Sequence, residues 1–251
     1  MTIPGPSAAG WVESVGPAGA PIRRFPVGLS AEALALAWAR TDQGPAHGAV
    51  VVEREVSARG LHGRLWATPA ESTLAVSVIL RPVLPADEAD VVWLAGGLAA
   101  VMGAVAAGAS PDLATCWPDA VVNIATNEPV AMVKAESQLG PGRVRSAVVT
   151  VRFDLRRLGL TGQAEGLLTS VLEAMVAAAA DLDEDASGVA ALYSARCSLV
   201  GSRAKATLLP KGESRGVVRT ADRQGRLVLE SATGMVERIG IHQLRALEVV
   251  P

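Results

Sequence analysis

Residues 114–123 read ATCWPDAVVN. In this stretch a Trp-Pro pair and an acid, Trp117, Pro118 and Asp119, stand between short apolar runs that are typical of strands. Because proline does not continue a regular strand, the pattern predicts a loop that joins two strands. We expect Trp117 and Pro118 to shape and pack this loop.

A second unusual stretch, SARGLHGRLW, occupies residues 57–66. It lies in a long connection between two strand-like runs, AVVVERE at 49–55 and TLAVSVILRP at 73–82. Ser30 is a suitable N-cap for a helix over 31–40, and an apolar stripe predicts a further helix over 163–180. Together these elements predict an α+β fold, in which helices pack on one side of a mixed β-sheet.

The two ends of the chain have a different character. Residues 1–22 are rich in Pro, Gly and Ala and predict a flexible N-terminal arm. The acids of 181–185 are expected to lie beyond the end of the preceding helix, because the helix dipole disfavours negative charge there. From about Arg203 short strands alternate with turns, which predicts a small SH3-like β-barrel. We therefore divide the chain into the arm, an α+β domain over 23–200 and a C-terminal domain over 201–251.

Composition excludes several classes of protein. With 23 basic and 25 acidic residues the formal net charge is -2, which argues against nucleic acid or an anionic membrane surface as a partner. Cys116 and Cys197 have neither the number nor the spacing of a disulfide framework or a zinc site, and no metal ligands are expected. The uncharged run 91–109 is weakly hydrophobic and predicts a buried helix rather than a membrane span. The start of the chain does not resemble a secretory signal, so we expect a cytoplasmic protein.

The order of these motifs resembles one family, the biotin protein ligases that lack an N-terminal DNA-binding domain. The family motif A-G-R-G-R-x-G-R-x-W is similar to SARGLHGRLW at 57–66, and the motif K-W-P-N-D is similar to CWPDA at 116–120. PVAMVKAE at 129–136 and TVRFD at 150–154 resemble the family's next two strands, K-L-A-G-I-L-x-E and G-I-G-I-N. The resemblance covers about residues 25–250, and its strength lies in four weak matches that occur in the right order.

The resemblance implies a fold like that of the class II aminoacyl-tRNA synthetases and an activity that joins biotin to ATP as an acyl-adenylate before transfer to a target lysine. It implies that two segments contact the ligand. These candidate ligand-binding residues are Arg59, Gly60, Leu61, His62, Gly63, Trp66, Cys116, Trp117, Pro118 and Asp119.

The chain departs from the family where the family carries charge. Cys116 and Pro129 stand in place of its two lysines, and Leu61 and His62 stand where basic residues are usual. Thr150, Arg152 and Asp154 stand in place of two glycines and an asparagine, so that a side chain at 152 is expected to obstruct the nucleotide pocket. Loss of one well-placed donor typically lowers a rate by about 100-fold to 1000-fold. The sequence therefore predicts an impaired or inactive relative that binds a partner or a small acidic ligand and requires no cofactor.

Two alternatives stay open at this point. The first is an ATP-dependent ligase or acyltransferase with an altered substrate, for which ATP, Mg and biotin would be the cofactors; it would use Arg59, His62, Asp119 and Lys134 and requires Lys134 or Arg152 to point into the ligand cavity. Cys116 is a weaker candidate nucleophile, since no base or cation is adjacent in sequence to lower its pKa. The second alternative is an assembly subunit that forms a homodimer through its sheet or binds a carboxylase-type or other protein partner.

Overall fold

The computed structural model describes residues 10–41, 44–66 and 69–250. Its larger sheet has eight strands in the order β1-β2-β3-β4-β8-β7-β6-β5, and only the β2–β3 pair is parallel. The mixed sheet that the sequence predicts is therefore confirmed. The strands are β1 (Val12–Val15), β2 (Pro21–Gly28), β3 (Ala49–Glu55), β4 (Thr73–Leu80), β5 (Leu113–Cys116), β6 (Ala120–Asn123), β7 (Glu128–Gly140) and β8 (Arg143–Asp154).

The described part of the chain has four α-helices, and helices lie on both faces of this sheet. They are α1 (Ala31–Ala39), α2 (Val91–Ala106), α3 (Ala164–Glu184) and α4 (Ala186–Ala195). α1 covers β3, β4 and β8 on one face, where it packs in a core that includes Val148. α2 lies on the opposite face, against β7 and β8, in the core that includes Val149, and α3 and α4 pack on it. Val148 and Val149 are adjacent in β8 and therefore point to opposite faces of the sheet. Helices thus cover both faces, and the prediction of helices on one side only is wrong.

α1 and α2 begin and pack as the sequence indicates. The Ser30 side chain accepts a hydrogen bond from the Ala33 N–H at 3.1 Å and caps α1. α2 is buried along most of its length, which confirms the prediction for the uncharged run that contains it. Among the described residues no helix is both long enough and apolar enough to cross a membrane.

The predicted arm is wrong for the part that the structure describes. Val12–Val15 and Pro21–Gly28 are strands, and Ile22 is buried in the main core. Proline is tolerated at the first residue of a strand, so Pro21 does not prevent the pairing that composition alone argued against. Residues 1–9 of the arm lie outside the described residues.

The acids of 181–185 also differ from the prediction, because α3 runs to Glu184 and includes Asp181 and Asp183. Leu182 is buried in the core, and the Asp183 carboxylate accepts a hydrogen bond from the Val83 N–H at 2.7 Å. These contacts offset the unfavourable interaction of the acids with the helix dipole.

A second, five-stranded antiparallel sheet forms the C-terminal part of the chain. Its strands are β9 (Arg203–Leu208), β10 (Glu213–Ala221), β11 (Leu227–Glu230), β12 (Val236–Ile239) and β13 (Leu244–Val249). They lie in the order β12-β11-β10-β9-β13. The edge strands β12 and β13 do not pair in this described segment, so the predicted closed barrel is not observed.

Candidate functional site

A buried ion pair lies under the 57–66 loop, on the sheet face that carries α1. The Arg152 side chain on β8 is 1% exposed and that of Glu55 at the end of β3 is 4% exposed. Arg152 Nε donates to Glu55 Oε2 at 2.6 Å and Nη2 donates to Oε1 at 2.9 Å. Nη1 donates to the Arg59 carbonyl at 3.4 Å, so the same guanidinium also contacts the loop above it. The two side chains occupy the space between this part of the sheet and the loop.

Glu55 also binds a helix end on this face, and two further carboxylates bind the nearby Lys134. Glu55 Oε1 accepts a hydrogen bond from the Ala31 N–H at 2.8 Å, which places negative charge at the N-terminus of α1. Lys134 Nζ lies 2.6 Å from Glu32 Oε1 and 3.0 Å from Glu136 Oε1. Burial lowers the pKa of Lys134, but the hydrogen bonds and charges of Glu32 and Glu136 outweigh burial and leave that pKa raised. Lys134 is therefore a paired cation.

The 57–66 loop lies directly on the sheet and also reaches the C-terminal sheet. A Cβ at Gly60 would overlap the sulfur of Met132 on β7, so the glycine lets the loop lie against that side chain as it is placed here. His62 Nε2 donates to the Leu244 carbonyl at 2.5 Å. Arg59 Nε donates to Ser57 Oγ at 3.1 Å and its Nη1 donates to the Gly63 carbonyl at 3.2 Å. The loop thus uses its own polar groups to hold its conformation.

A cavity of about 530 Å³ lies between this loop, the β5–β6 turn and strand β13; we call it the Trp117 cavity. Trp117 is buried, and its indole Nε1 donates to the Gly225 carbonyl in the β10–β11 turn at 3.0 Å. The lining residues are Leu61, His62, Arg64, Cys116, Trp117, Pro118, Asp119, Ala120, Asn127, Ser198, Leu199, Ser202, Leu244, Arg245, Ala246, Leu247 and Val249.

The charged groups of the Trp117 cavity differ in whether they are already paired with a group of opposite charge. Asp119 is 6% exposed and forms an ion pair with Arg64. Burial raises the pKa of Asp119, and the charge and hydrogen bond of Arg64 only partly oppose that shift. Arg245 also lines the cavity and has no carboxylate within 4 Å among the residues that the structure describes. Arg245 is thus a cation that could bind an acidic ligand.

Cys116 is poorly suited to nucleophilic chemistry. Burial raises its pKa to about 11, against a smaller opposing effect of a hydrogen bond with Ser198. With this raised pKa, Cys116 is a thiol at neutral pH. Because the thiolate is the nucleophilic form, Cys116 is unreactive there. This environment favours a packing role and argues against the weaker nucleophile alternative.

Comparison of whole structures gives a consistent match. A biotin protein ligase from Aquifex aeolicus, solved in complex with biotin and ATP, superimposes with a TM-score of 0.69 over 91% of this chain and 99% of that chain, at 16% identity. The chain has a biotin protein ligase-like fold. A biotin protein ligase-like protein of unknown function from Silicibacter sp. TM1040 gives 0.67 over 92% and 98% at 16% identity. The Leishmania major biotin protein ligase in complex with biotin gives 0.57 over 87% and 98% at 15% identity. No family model and no curated protein matches the sequence significantly.

Within this biotin ligase-like fold, the predicted site residues separate into two groups. Leu61, His62, Cys116, Trp117, Pro118 and Asp119 meet around the Trp117 cavity. Arg59, Gly60, Gly63 and Trp66 are not among the residues that line it; the Trp66 indole donates to Thr73 Oγ1 at 3.1 Å instead.

The altered-substrate ligase requires Lys134 or Arg152 to point into the ligand cavity. Neither residue lines the Trp117 cavity, because each is bound to glutamate on the sheet face. The sequence did not predict that Glu55 and Glu32 bind these cations, because the partners are 97 and 102 positions away. It also did not single out Arg245 as a cavity residue. The unexpected arginine within TVRFD is the signal that could have indicated Glu55, since a buried charge requires a counter-charge.

Proposed function

We propose that this chain does not form an acyl-adenylate and acts as a binding module, with a small acidic ligand in the Trp117 cavity. The observation that supports the proposal best is the buried Arg152–Glu55 pair under the 57–66 loop. In the family motif two glycines occupy the positions of Thr150 and Arg152, so that backbone rather than side chain lies there. Here the side chain and its counter-charge take up that space.

The residues at these positions do not fit ATP and biotin. The acyl-adenylate carries negative charge that requires cations and backbone donors. Cys116 and Pro129 replace the family lysines, and Lys134, Arg152 and Arg64 are each bound to glutamate or aspartate.

The Trp117 cavity has the size and lining of a small-molecule site. Its volume of about 530 Å³ lies within the range of known ligand pockets. Leu61, Leu199 and Leu247 offer apolar walls, and Arg245 offers a cation for a carboxylate. A small carboxylic acid with an apolar body fits this combination.

Thermal shifts with a panel of compounds test this site. We expect a carboxylic acid such as lipoate or octanoate to raise the melting temperature, by several degrees at about 100 times its Kd. We expect ATP with Mg to have no effect. Arg245→Ala should abolish the shift, whereas Arg215→Ala, an exposed arginine of the C-terminal sheet that does not line the cavity, should preserve it. A shift by ATP, or a carboxylic acid shift that Arg245→Ala leaves intact, would contradict the proposed site.

We also propose two structural features of this chain. One is an SH3-like identity for the C-terminal sheet, supported by its five short antiparallel strands. The other is a homodimer through the larger sheet, supported by the edge position of β1.

A further inference from the structure

We propose that a cleft at the end of the larger sheet binds an acidic peptide segment of a partner protein. The cleft has a volume of about 460 Å³ and lies where β4 ends and β8 begins. We call it the arginine cleft. Its lining residues are Arg81, Pro82, Val83, Leu84, Pro85, Gly142, Arg143, Val144 and Arg145. None of them lines the Trp117 cavity, so this inference concerns a separate surface.

A β-bulge positions the arginines of this cleft. Gln138 on β7 pairs with Ser146 on β8, and the next residue, Leu139, pairs with Val144. Arg145 is therefore the extra residue of the bulge and has no partner on β7. Bulges bend a strand and re-aim its side chains. As a result Val144 is buried in the core while the neighbouring Arg145 is exposed.

The opposite wall of the cleft is fixed to β8 by backbone hydrogen bonds. The Val144 N–H donates to the Leu84 carbonyl at 2.9 Å, and the Ala86 N–H donates to the Gly142 carbonyl at 3.2 Å. The Val83 N–H donates to Asp183 at 2.7 Å, which ties this wall to α3. The cleft is consequently preorganised, which lowers the entropy that a ligand loses on binding to it.

The charge of the cleft is uncompensated within the described part of the chain. Neither Arg143 nor Arg145 has a carboxylate within 4 Å there, whereas exposed arginines elsewhere, such as Arg219 and Arg223, pair with glutamate. Arg81 donates to the carbonyls of Gly44 and Ala39 and adds positive charge, which the C-terminal end of α1 offsets only in part. Guanidinium groups bind carboxylates with favourable fork-like geometry.

The surroundings of the cleft favour a peptide over other anionic partners. Val83 is 79% exposed and Leu139 is 58% exposed, so apolar side chains stand beside Arg143 and Arg145. A peptide that alternates acidic and apolar residues complements this surface. A symmetric pair of these clefts would bring like charges together, which disfavours a homodimer through this face. The net charge of -2 disfavours nucleic acid.

Fluorescence anisotropy with a labelled peptide of alternating glutamate and valine tests the proposal. We expect saturable binding that weakens as salt is added, because exposed charges are screened. Arg143→Glu and Arg145→Glu should each weaken binding by about tenfold or more. The matched control is Arg54→Glu, an exposed arginine on β3 outside the cleft, which should change the affinity by less than about threefold. Melting curves of the variants verify that each is folded.

Three results would overturn the proposal. The first is a lack of saturable binding to the wild-type protein below about 1 mM peptide. The second is an equal loss of affinity in Arg54→Glu, which would indicate attraction to overall charge. The third is displacement by inorganic phosphate at concentrations similar to those of the unlabelled peptide, which would indicate a site for a small phosphate. Arg143→Ala and Arg145→Ala replace the glutamate variants if those fail to fold.

Discussion

Arg152→Met, with Glu55 retained, is expected to lower the free energy of unfolding by about 3–5 kcal/mol. The substitution leaves the Glu55 carboxylate buried without its counter-charge, since the two bonds from Arg152 supply most of its compensation. Urea denaturation at neutral pH measures the change. Arg219→Met is the matched control, because its pair with Glu230 is largely exposed, and it should cost less than about 1 kcal/mol.

The double variant Arg152→Met with Glu55→Met separates the pair from the space that it fills. Replacement of both partners by apolar groups of similar volume is often close to neutral. We expect the double variant to be more stable than Arg152→Met alone and to lose only about 1 kcal/mol, from the Ala31 N–H that Glu55 caps. If Arg152→Met unfolds at nearly the wild-type urea concentration, Glu55 does not depend on Arg152 as its buried counter-charge.

Trp117→Ala is expected to lower the free energy of unfolding by about 3–5 kcal/mol and to weaken the contact between the C-terminal sheet and the α+β domain. Trp117 is 2% exposed and donates to the Gly225 carbonyl, which lies in the β10–β11 turn. The α+β domain and the C-terminal sheet are also joined by an ion pair of Glu88 with Arg223 and a hydrogen bond of Ser194 with Thr220. We therefore expect the contact to weaken without being lost. Native-state hydrogen exchange resolved by segment measures this, with faster exchange expected in β10 and β11.

Trp117→Phe serves as the control, because it keeps an aromatic ring and removes the indole N–H. It should cost about 1–2 kcal/mol, from the lost hydrogen bond and a smaller loss of volume. Unchanged exchange protection of the C-terminal sheet in Trp117→Ala would show that Trp117 serves only the local loop. The Trp-Pro pair of the ATCWPDAVVN stretch would then have no role in holding the two sheets together.

Local sequence patterns predicted most of the elements of this fold. The strand over 49–55 has the predicted bounds, and Ser30 caps α1 as expected. The errors arose where tertiary contacts overrule composition. Pro21 begins a strand that pairs with β1 and, from Ile22, with β3, and the acids of α3 stay helical because Leu182 is buried. α4 was not expected at all.

The candidate site was predictable in outline and not in detail. Motif similarity identified two segments, 57–66 and 116–120, and the structure brings part of each to one cavity. The sequence could not reveal that Arg152 faces Glu55 or that Lys134 faces Glu32, since these pairs form across distant strands and a helix. Obstruction by Arg152 was expected from the loss of glycine; its counter-charge was not.

We propose that the Arg152–Glu55 pair fills the sheet face at the positions where the family motif has glycines, so that no acyl-adenylate forms. Pyrophosphate release by the purified chain, with ATP, Mg and biotin or lipoate, measures this most directly. We expect release at least about 1000-fold slower than typical enzymatic turnover. Turnover of about one per second or faster, with either acid, would show that the chain does form an acyl-adenylate.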